Sequence, residues 1–133
     1  DGLTLMRPRN VGKLLQALKP VAGQRALAVA APYAALVLEH MGVAVDRLEG
    51  EDLRRPSGAG YDMIICEGAV ERAPVEWLSA LSSAGRLAVV ERDGPVGKAV
   101  IYRRAEGGFG KRVIFDATPP LLPGFEAQHG FSF

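Results

Sequence analysis

The stretch that most constrains the fold is residues 25–42, RALAVAAPYAALVLEHMG. After Arg25 the segment ALAVAA is apolar throughout, which is typical of a strand covered on both faces. Pro32 fits the first position of a following helix, and Gly42 fits the stop after its last turn. Nucleotide-binding α/β domains begin with such a strand and helix, but their turn carries glycines and this turn has none.

Two further helices are predicted from apolar spacing. Asn10 is the candidate N-cap of the first, and Pro20 ends it. The second begins at Pro74. The apolar side chains that would form their buried faces are Val11, Leu14, Leu15 and Leu18 in the first, and Val75, Leu78 and Leu81 in the second.

Strands alternate with these helices along the chain. We predict them at 43–49, 61–68 and 86–92, with a late hairpin of 97–105 and 109–117. GPVGK and GGFGK lack the Ser or Thr of a phosphate loop and are interpreted as hairpin turns. The fold class is therefore α/β, with a mostly parallel sheet, helices on both faces and a late antiparallel hairpin. The tail 118–133 is expected to pack along the surface.

Size and charge exclude several classes of function. The chain has 133 residues and a net charge of +1, which favours one domain over 1–133 and gives no general affinity for nucleic acid or membranes. Its longest apolar run, at 26–38, is too short for a bilayer span of about 20 residues. The arginine pairs at 54–55 and 103–104 are interpreted as solvated surface. Because the chain opens on Asp1, we expect either a piece of a longer protein or a trimmed chain.

Cysteine and histidine usage points to a reducing compartment and to no metal. Cys66 is the only cysteine, so an internal disulfide is excluded and a cytoplasmic location is expected. It lies in an apolar run, where a buried structural thiol is expected rather than a nucleophile. The two histidines, His40 and His129, are far apart, and no spacing suggests zinc.

Several segments together resemble the protein-L-isoaspartate O-methyltransferase family, whose members use S-adenosylmethionine. GLTLMRP (2–8) resembles the family's G-Q-T-x-S-x-P, and GQRALAV resembles its G-D-R-V-L-E-I. YDMIICEGAVERAPVEWLSALSSAGRLAVV (61–90) resembles the family's Y-D-x-I-x-V segment and its continuation without gaps, and FDATPPLLPGF resembles the end of bacterial members. The resemblance implies a Rossmann-like methyltransferase fold over nearly the whole chain.

The chain departs from the family where the chemistry lies. The family's first loop is glycine-rich and two residues longer, with an acid where this chain has Ala28 and a glycine at Ala30. A Cβ at such positions blocks the approach of backbone to a ligand, and Pro32 has no N–H to donate. Met6 stands where the family has the serine associated with methyl transfer, and a thioether cannot replace a hydroxyl donor.

A third departure is a deletion on the adenine side of the implied site. Only residues 50–60 separate the second strand from Tyr61, so one α/β unit of the family is missing. Glu49 fits the acid that binds ribose hydroxyls at the end of such a strand. Alternatively, the acidic loop LEGEDL as a whole matches the family's adenine-side segment, or these acids are only a solvated loop.

Two functions follow from the resemblance and its departures. The first is a domain with degenerate cofactor and catalytic sites and a structural or interaction role toward a protein or peptide partner. The second is an active methyltransferase that modifies isoaspartyl or other protein carboxylates with S-adenosylmethionine. No catalytic residue is assigned. If the site is live, the expected cofactor contacts are Glu49, Ala30, Tyr33 and Glu67, of which Glu67 ends a strand where open α/β sheets bind ligands. Otherwise Glu67 is an exposed acid.

Overall fold

The structure, a computed structural model, describes residues 6–50, 52–122 and 125. These residues form three helices, α1 (Pro8–Leu18), α2 (Pro32–His40) and α3 (Val75–Ser79). They also form six strands: β1 (Arg25–Val29), β2 (Ala44–Leu48), β3 (Tyr61–Val70), β4 (Leu81–Asp93), β5 (Val96–Ala105) and β6 (Gly108–Asp116). One sheet contains all six, in the order β2-β1-β3-β4-β5-β6.

The sheet is parallel from β2 to β4 and antiparallel from β4 to β6. The predicted parallel sheet with a late antiparallel hairpin is therefore confirmed. β2 is an edge strand, and the described residues between it and β3 form neither helix nor strand. This short connection agrees with the expected loss of one α/β unit.

The core is divided by the sheet into two layers. Ala26 and Ala28 of β1 face α1 and α2, whereas Leu27 and Val29 face α3 and Leu53. Successive side chains of a strand point to opposite faces, so β1 is buried on both sides by one apolar run. The expectation of helices on both faces is confirmed, although one face has only the short α3.

The first helix begins earlier than the predicted Asn10 cap. Pro8 occupies its first turn, Arg7 is the N-cap residue, and no side chain caps this end. The cap prediction was wrong because Pro8, with its fixed φ and missing N–H, already starts a helix two residues upstream. The helix ends at Leu18, and Lys19 turns left-handed with φ 52° just before Pro20.

The buried face predicted for the helix after Pro74, which is α3, was also wrong. α3 has only five residues, Val75 is 67% exposed, and Trp77 is the side chain that it buries. Leu81 already belongs to β4, where it lies opposite Tyr61 of β3. Strand pairing therefore ends the helix before its apolar spacing can repeat.

The two hairpin turns agree with the predictions, whereas the tail differs from them in part. Both glycine-rich segments form the expected hairpin turns, with positive φ at Gly94 and Gly107. The tail does not lie on the surface throughout, because Leu122 and Phe125 are buried in the core. Within the described residues, no helix is long and apolar enough to cross a bilayer.

Candidate functional site

The crevice where open α/β sheets bind ligands lies between the carboxyl ends of β1 and β3. β1 leads to β2 on one side, and the chain then returns to β3 on the other side. Such a switch of direction opens a gap above the strands, where loops and helix N-termini meet. Ala30, Tyr33 and Glu67 all lie at this end of the sheet, and so does Glu49, because β2 runs parallel to β1 and ends at Leu48.

The turn after β1 adopts a backbone conformation usually reserved for glycine. Ala30 has φ 45°, and its N–H donates to the carbonyl of Leu48 at 2.8 Å. A left-handed conformation costs about 1–2 kcal/mol for a residue that carries a Cβ. The hydrogen bond to β2 holds the turn in place, so the backbone N–H of Ala30 is already engaged by the protein.

Glu67 occupies the N-terminus of α2. Its side chain is only 3% exposed, and Oε2 accepts the N–H of Ala34 at 2.7 Å. α2 has no cap from its own N-cap residue, Ala31, and Pro32 has no N–H, so the next donors are those of Tyr33 and Ala34. A helix N-terminus is a ready anion site, and here the anion is the protein's own carboxylate.

Burial raises the pKa of the Glu67 carboxyl, whereas hydrogen bonds from the backbone of Ala34 and Tyr33 act in the opposite direction. The expectation that Glu67 would otherwise be an exposed acid was wrong. β3 extends to Val70, so Glu67 lies inside a strand and under α2 instead of after the strand's end.

Two further segments of the same chain cover the carboxyl end of β3. The N–H of Met6 donates to the Glu67 carbonyl at 2.9 Å. On the other side, the N–H of Ala69 donates to the Pro120 carbonyl at 3.0 Å, and the N–H of Leu122 donates to the Ala69 carbonyl at 2.8 Å. These backbone groups of Glu67 and Ala69 are therefore already engaged by the protein.

Leu122 lies directly on Gly68. A Cβ built on Gly68 would be 2.5 Å from Cδ2 of Leu122, which is closer than real carbon atoms approach. Leu122 thus packs against bare backbone in the middle of the crevice. The apolar residues within the proline-rich tail, PLLPGF, are the sequence signal that could have predicted this packing.

Glu49 and Tyr33 face outward. Glu49 is exposed at the carboxyl end of β2, and no hydrogen bond or ion pair within the described residues joins its side chain to Ala30, Tyr33 or Glu67. Tyr33 is 45% exposed, so it meets Glu67 through its backbone. Glu51 lies outside the described residues. The assignment of these four residues to a cofactor stays a prediction.

The thiol of Cys66 is buried in β3. Burial raises the pKa of the Cys66 thiol to about 12, which leaves it protonated and unreactive at neutral pH. Its predicted structural role is consistent with this burial. In the part of the chain that the structure describes, no three His, Cys, Asp or Glu side chains are grouped as metal ligands. His129 is outside that part.

The capping role of Glu67 predicts a graded loss of stability. Glu67→Ala leaves the N–H groups of Tyr33 and Ala34 without this acceptor and should lower the free energy of unfolding by about 1–2 kcal/mol. Glu67→Gln keeps one acceptor and should lose less. Urea denaturation at pH 7 measures both. The matched control is Glu49→Ala, which should stay within about 0.5 kcal/mol of the unsubstituted chain. An equal loss in Glu49→Ala would contradict the cap.

The unsubstituted chain and Glu67→Gln also test how the free energy of unfolding depends on pH. Because the pKa of Glu67 is raised in the folded state, the folded chain holds its proton to a higher pH than the unfolded chain does. The stability that Glu67 contributes should therefore fall, relative to Glu67→Gln, as the pH rises from below about 4.3 through the folded pKa. A difference that rose with pH over this range would contradict it.

Comparison with known proteins supports the fold. A solved protein-L-isoaspartate O-methyltransferase matches with a TM-score of 0.74 and 14% identity, over 88% of this chain and 47% of that chain. A putative protein-L-isoaspartate O-methyltransferase beta-aspartate methyltransferase from Plasmodium falciparum, in complex with S-adenosyl-L-homocysteine, matches with a TM-score of 0.68 and 16% identity, over 92% and 77%.

These likenesses confirm the Rossmann-like methyltransferase fold that the sequence predicts. The chain spans about half the length of the first solved relative and about three quarters of the second. No family model matches the sequence, and no curated protein matches it. At such low identity the likeness shows the fold alone.

Proposed function

We propose that this chain is a protein-L-isoaspartate O-methyltransferase-like domain with a degenerate cofactor site and a structural or interaction role. The observation that carries the proposal is the Glu67 carboxylate at the N-terminus of α2. An anionic group of a ligand placed there would have to displace a buried carboxylate or be repelled by it. The carboxylate group of S-adenosylmethionine is therefore not expected to bind at this helix end.

The neighbouring groups support the same conclusion. The N–H of Ala30 is bonded to Leu48, and Leu122 covers Gly68. Met6 is 6% exposed and contacts the Glu67 backbone, at the segment where the resemblance implies a catalytic serine. Neither a cofactor pocket nor a hydroxyl for methyl transfer is supplied by these residues. The partner of such a domain would be a protein or peptide, and its compartment the cytoplasm.

The second candidate is an active S-adenosylmethionine-dependent methyltransferase. It is favoured by the likeness to a chain that holds S-adenosyl-L-homocysteine, at a TM-score of 0.68. In that case Glu49, Ala30, Tyr33 and Glu67 would contact the cofactor, and the substrate would be an isoaspartyl or other protein carboxylate. It requires Glu67 to leave the α2 N-terminus when the cofactor binds.

Calorimetric titration of S-adenosylhomocysteine into the chain separates the two candidates. We expect no saturable heat up to millimolar ligand, while the Plasmodium falciparum protein, titrated in parallel, binds. A dissociation constant near micromolar, which corresponds to about 8 kcal/mol, would overturn the degenerate site. If the unsubstituted chain does not bind and Glu67→Ala does, the Glu67 carboxylate is identified as the group that excludes the cofactor.

A further inference from the structure

A basic cleft lies at the opposite end of the sheet from Glu67, between the end of α1 and strands β4 to β6. Its volume is about 380 Å³, and its lining includes Lys19, Arg86, Arg103, Lys111 and Arg112. No acidic residue belongs to that lining, although the chain as a whole carries nearly equal numbers of both charges. Glu106 lines a neighbouring cleft instead. We call this cavity the basic cleft.

The strand register brings the arginines of the basic cleft together. Arg86 of β4 lies directly opposite Arg103 of β5, and Ile101 of β5 lies opposite Arg112 of β6. Arg103 is two residues from Ile101, so Arg103 and Arg112 point to the same face of the sheet. Three guanidinium groups on neighbouring strands therefore share the face that ends at α1. Like charges directly opposite each other destabilise a sheet, and an anion between them would relieve that repulsion.

Three cations of the cleft have no hydrogen-bond or ion-pair partner among the described residues. Arg86 donates to the Leu18 carbonyl at 3.4 Å, and Lys111 pairs with Glu91 at 2.6 Å on the other face. The side chains of Lys19, Arg103 and Arg112 make no hydrogen bond or ion pair within residues 6–50, 52–122 and 125. All three are exposed at the mouth of the cleft. Their charges are available to a ligand.

We propose that the basic cleft binds a small soluble molecule that carries two linked phosphate groups. Lys19, Arg86, Arg103 and Arg112 are paired with no carboxylate among the described residues, and one phosphate monoester has about 1.5–2 negative charges at pH 7, so two phosphate groups are needed to balance these four cations. Guanidinium groups bind phosphate oxygens in bidentate geometry, and the cleft has the volume of ordinary ligand pockets. Arg103 is thereby reassigned from solvated surface to ligand contact. The inference is independent of the cofactor site at Glu67.

Titration with inorganic pyrophosphate at low ionic strength tests the site. Pyrophosphate should bind the chain more tightly than orthophosphate does. Arg103→Gln and Arg112→Gln should each weaken pyrophosphate binding about tenfold or more, because each removes a charge-assisted hydrogen bond. Both side chains are exposed and unpaired, so the variants should fold, which circular dichroism checks.

The matched control is Arg55→Gln. Arg55 is also an exposed arginine, with 84% of its side chain accessible, but it lies in the loop before β3 and pairs with Asp52. The Arg55→Gln variant changes the net charge by the same amount as the cleft variants, and its affinity for pyrophosphate should equal that of the unsubstituted chain. The proposal is overturned if the chain does not bind pyrophosphate, or if Arg55→Gln weakens binding as much as Arg103→Gln does.

Discussion

Replacing Trp77 with alanine is expected to lower the free energy of unfolding by about 3–5 kcal/mol. Trp77 is the largest fully buried side chain of the described residues. Its Nε1–H donates to the Leu53 carbonyl at 2.8 Å, and its ring lies 5.3 Å from that of Phe125. The alanine variant leaves a cavity between the sheet, the loop before β3 and the tail, and a buried carbonyl without a donor.

Two controls divide that loss into its causes. Trp77→Phe keeps most of the apolar volume but not the N–H, so its loss should be about 1–3 kcal/mol, smaller than that of alanine. Val75→Ala alters the same helix at a residue that is 67% exposed, and should change stability by no more than about 0.5 kcal/mol. Since Trp77 is the only tryptophan, urea unfolding is followed by far-UV circular dichroism. A larger loss for Val75→Ala than for Trp77→Ala would restore the face predicted from the sequence.

The contrast between Val75 and Trp77 shows where sequence reasoning about the fold stops. The positions of the strands along the chain were predictable because continuous apolar runs such as that after Arg25 carry a strong local signal. The face of α3 was not, because only five residues are helical and Leu81 is drawn into β4 by its pairing with Tyr61. A tertiary contact decides the end of that helix, and its periodicity does not reveal the contact.

The sequence indicates which end of the sheet the candidate site would occupy, but it does not indicate that Glu67 caps α2 there. The missing glycines and the exchange at Ala30 are readable from the sequence, and the structure has Ala30 directly after β1, in the turn before α2. That Glu67 turns inward to cap α2 follows from a contact between residues 33 apart. The sequence near Glu67 reveals neither the bare helix end after Ala31 nor the extension of β3. The hydrogen bond between Glu67 and α2 can be recognised only once β1 and β3 are paired in the sheet.

The tail that closes the crevice predicts the second large effect. Leu122 is 1% exposed, and Leu122→Ala should lower the free energy of unfolding by about 2–5 kcal/mol, as for other fully buried leucines. Gly68→Ala should cost about 1–3 kcal/mol, because its Cβ meets Cδ2 of Leu122 at 2.5 Å and Cγ at 2.8 Å. Urea denaturation of the two single variants measures these losses separately.

The double variant that combines Gly68→Ala with Leu122→Ala tests whether the two losses of stability have one cause. Leu122→Ala removes the Cγ and Cδ2 atoms that a Cβ on Gly68 would meet, so the added methyl then enters the space that leucine vacates. The two losses should therefore fall short of additivity by about 0.5–3 kcal/mol, the range for residues in contact. Full additivity would mean that Leu122 does not rest on Gly68 in solution. The case against a cofactor above β3 would then rest on Glu67, on the engaged N–H of Ala30 and on Met6.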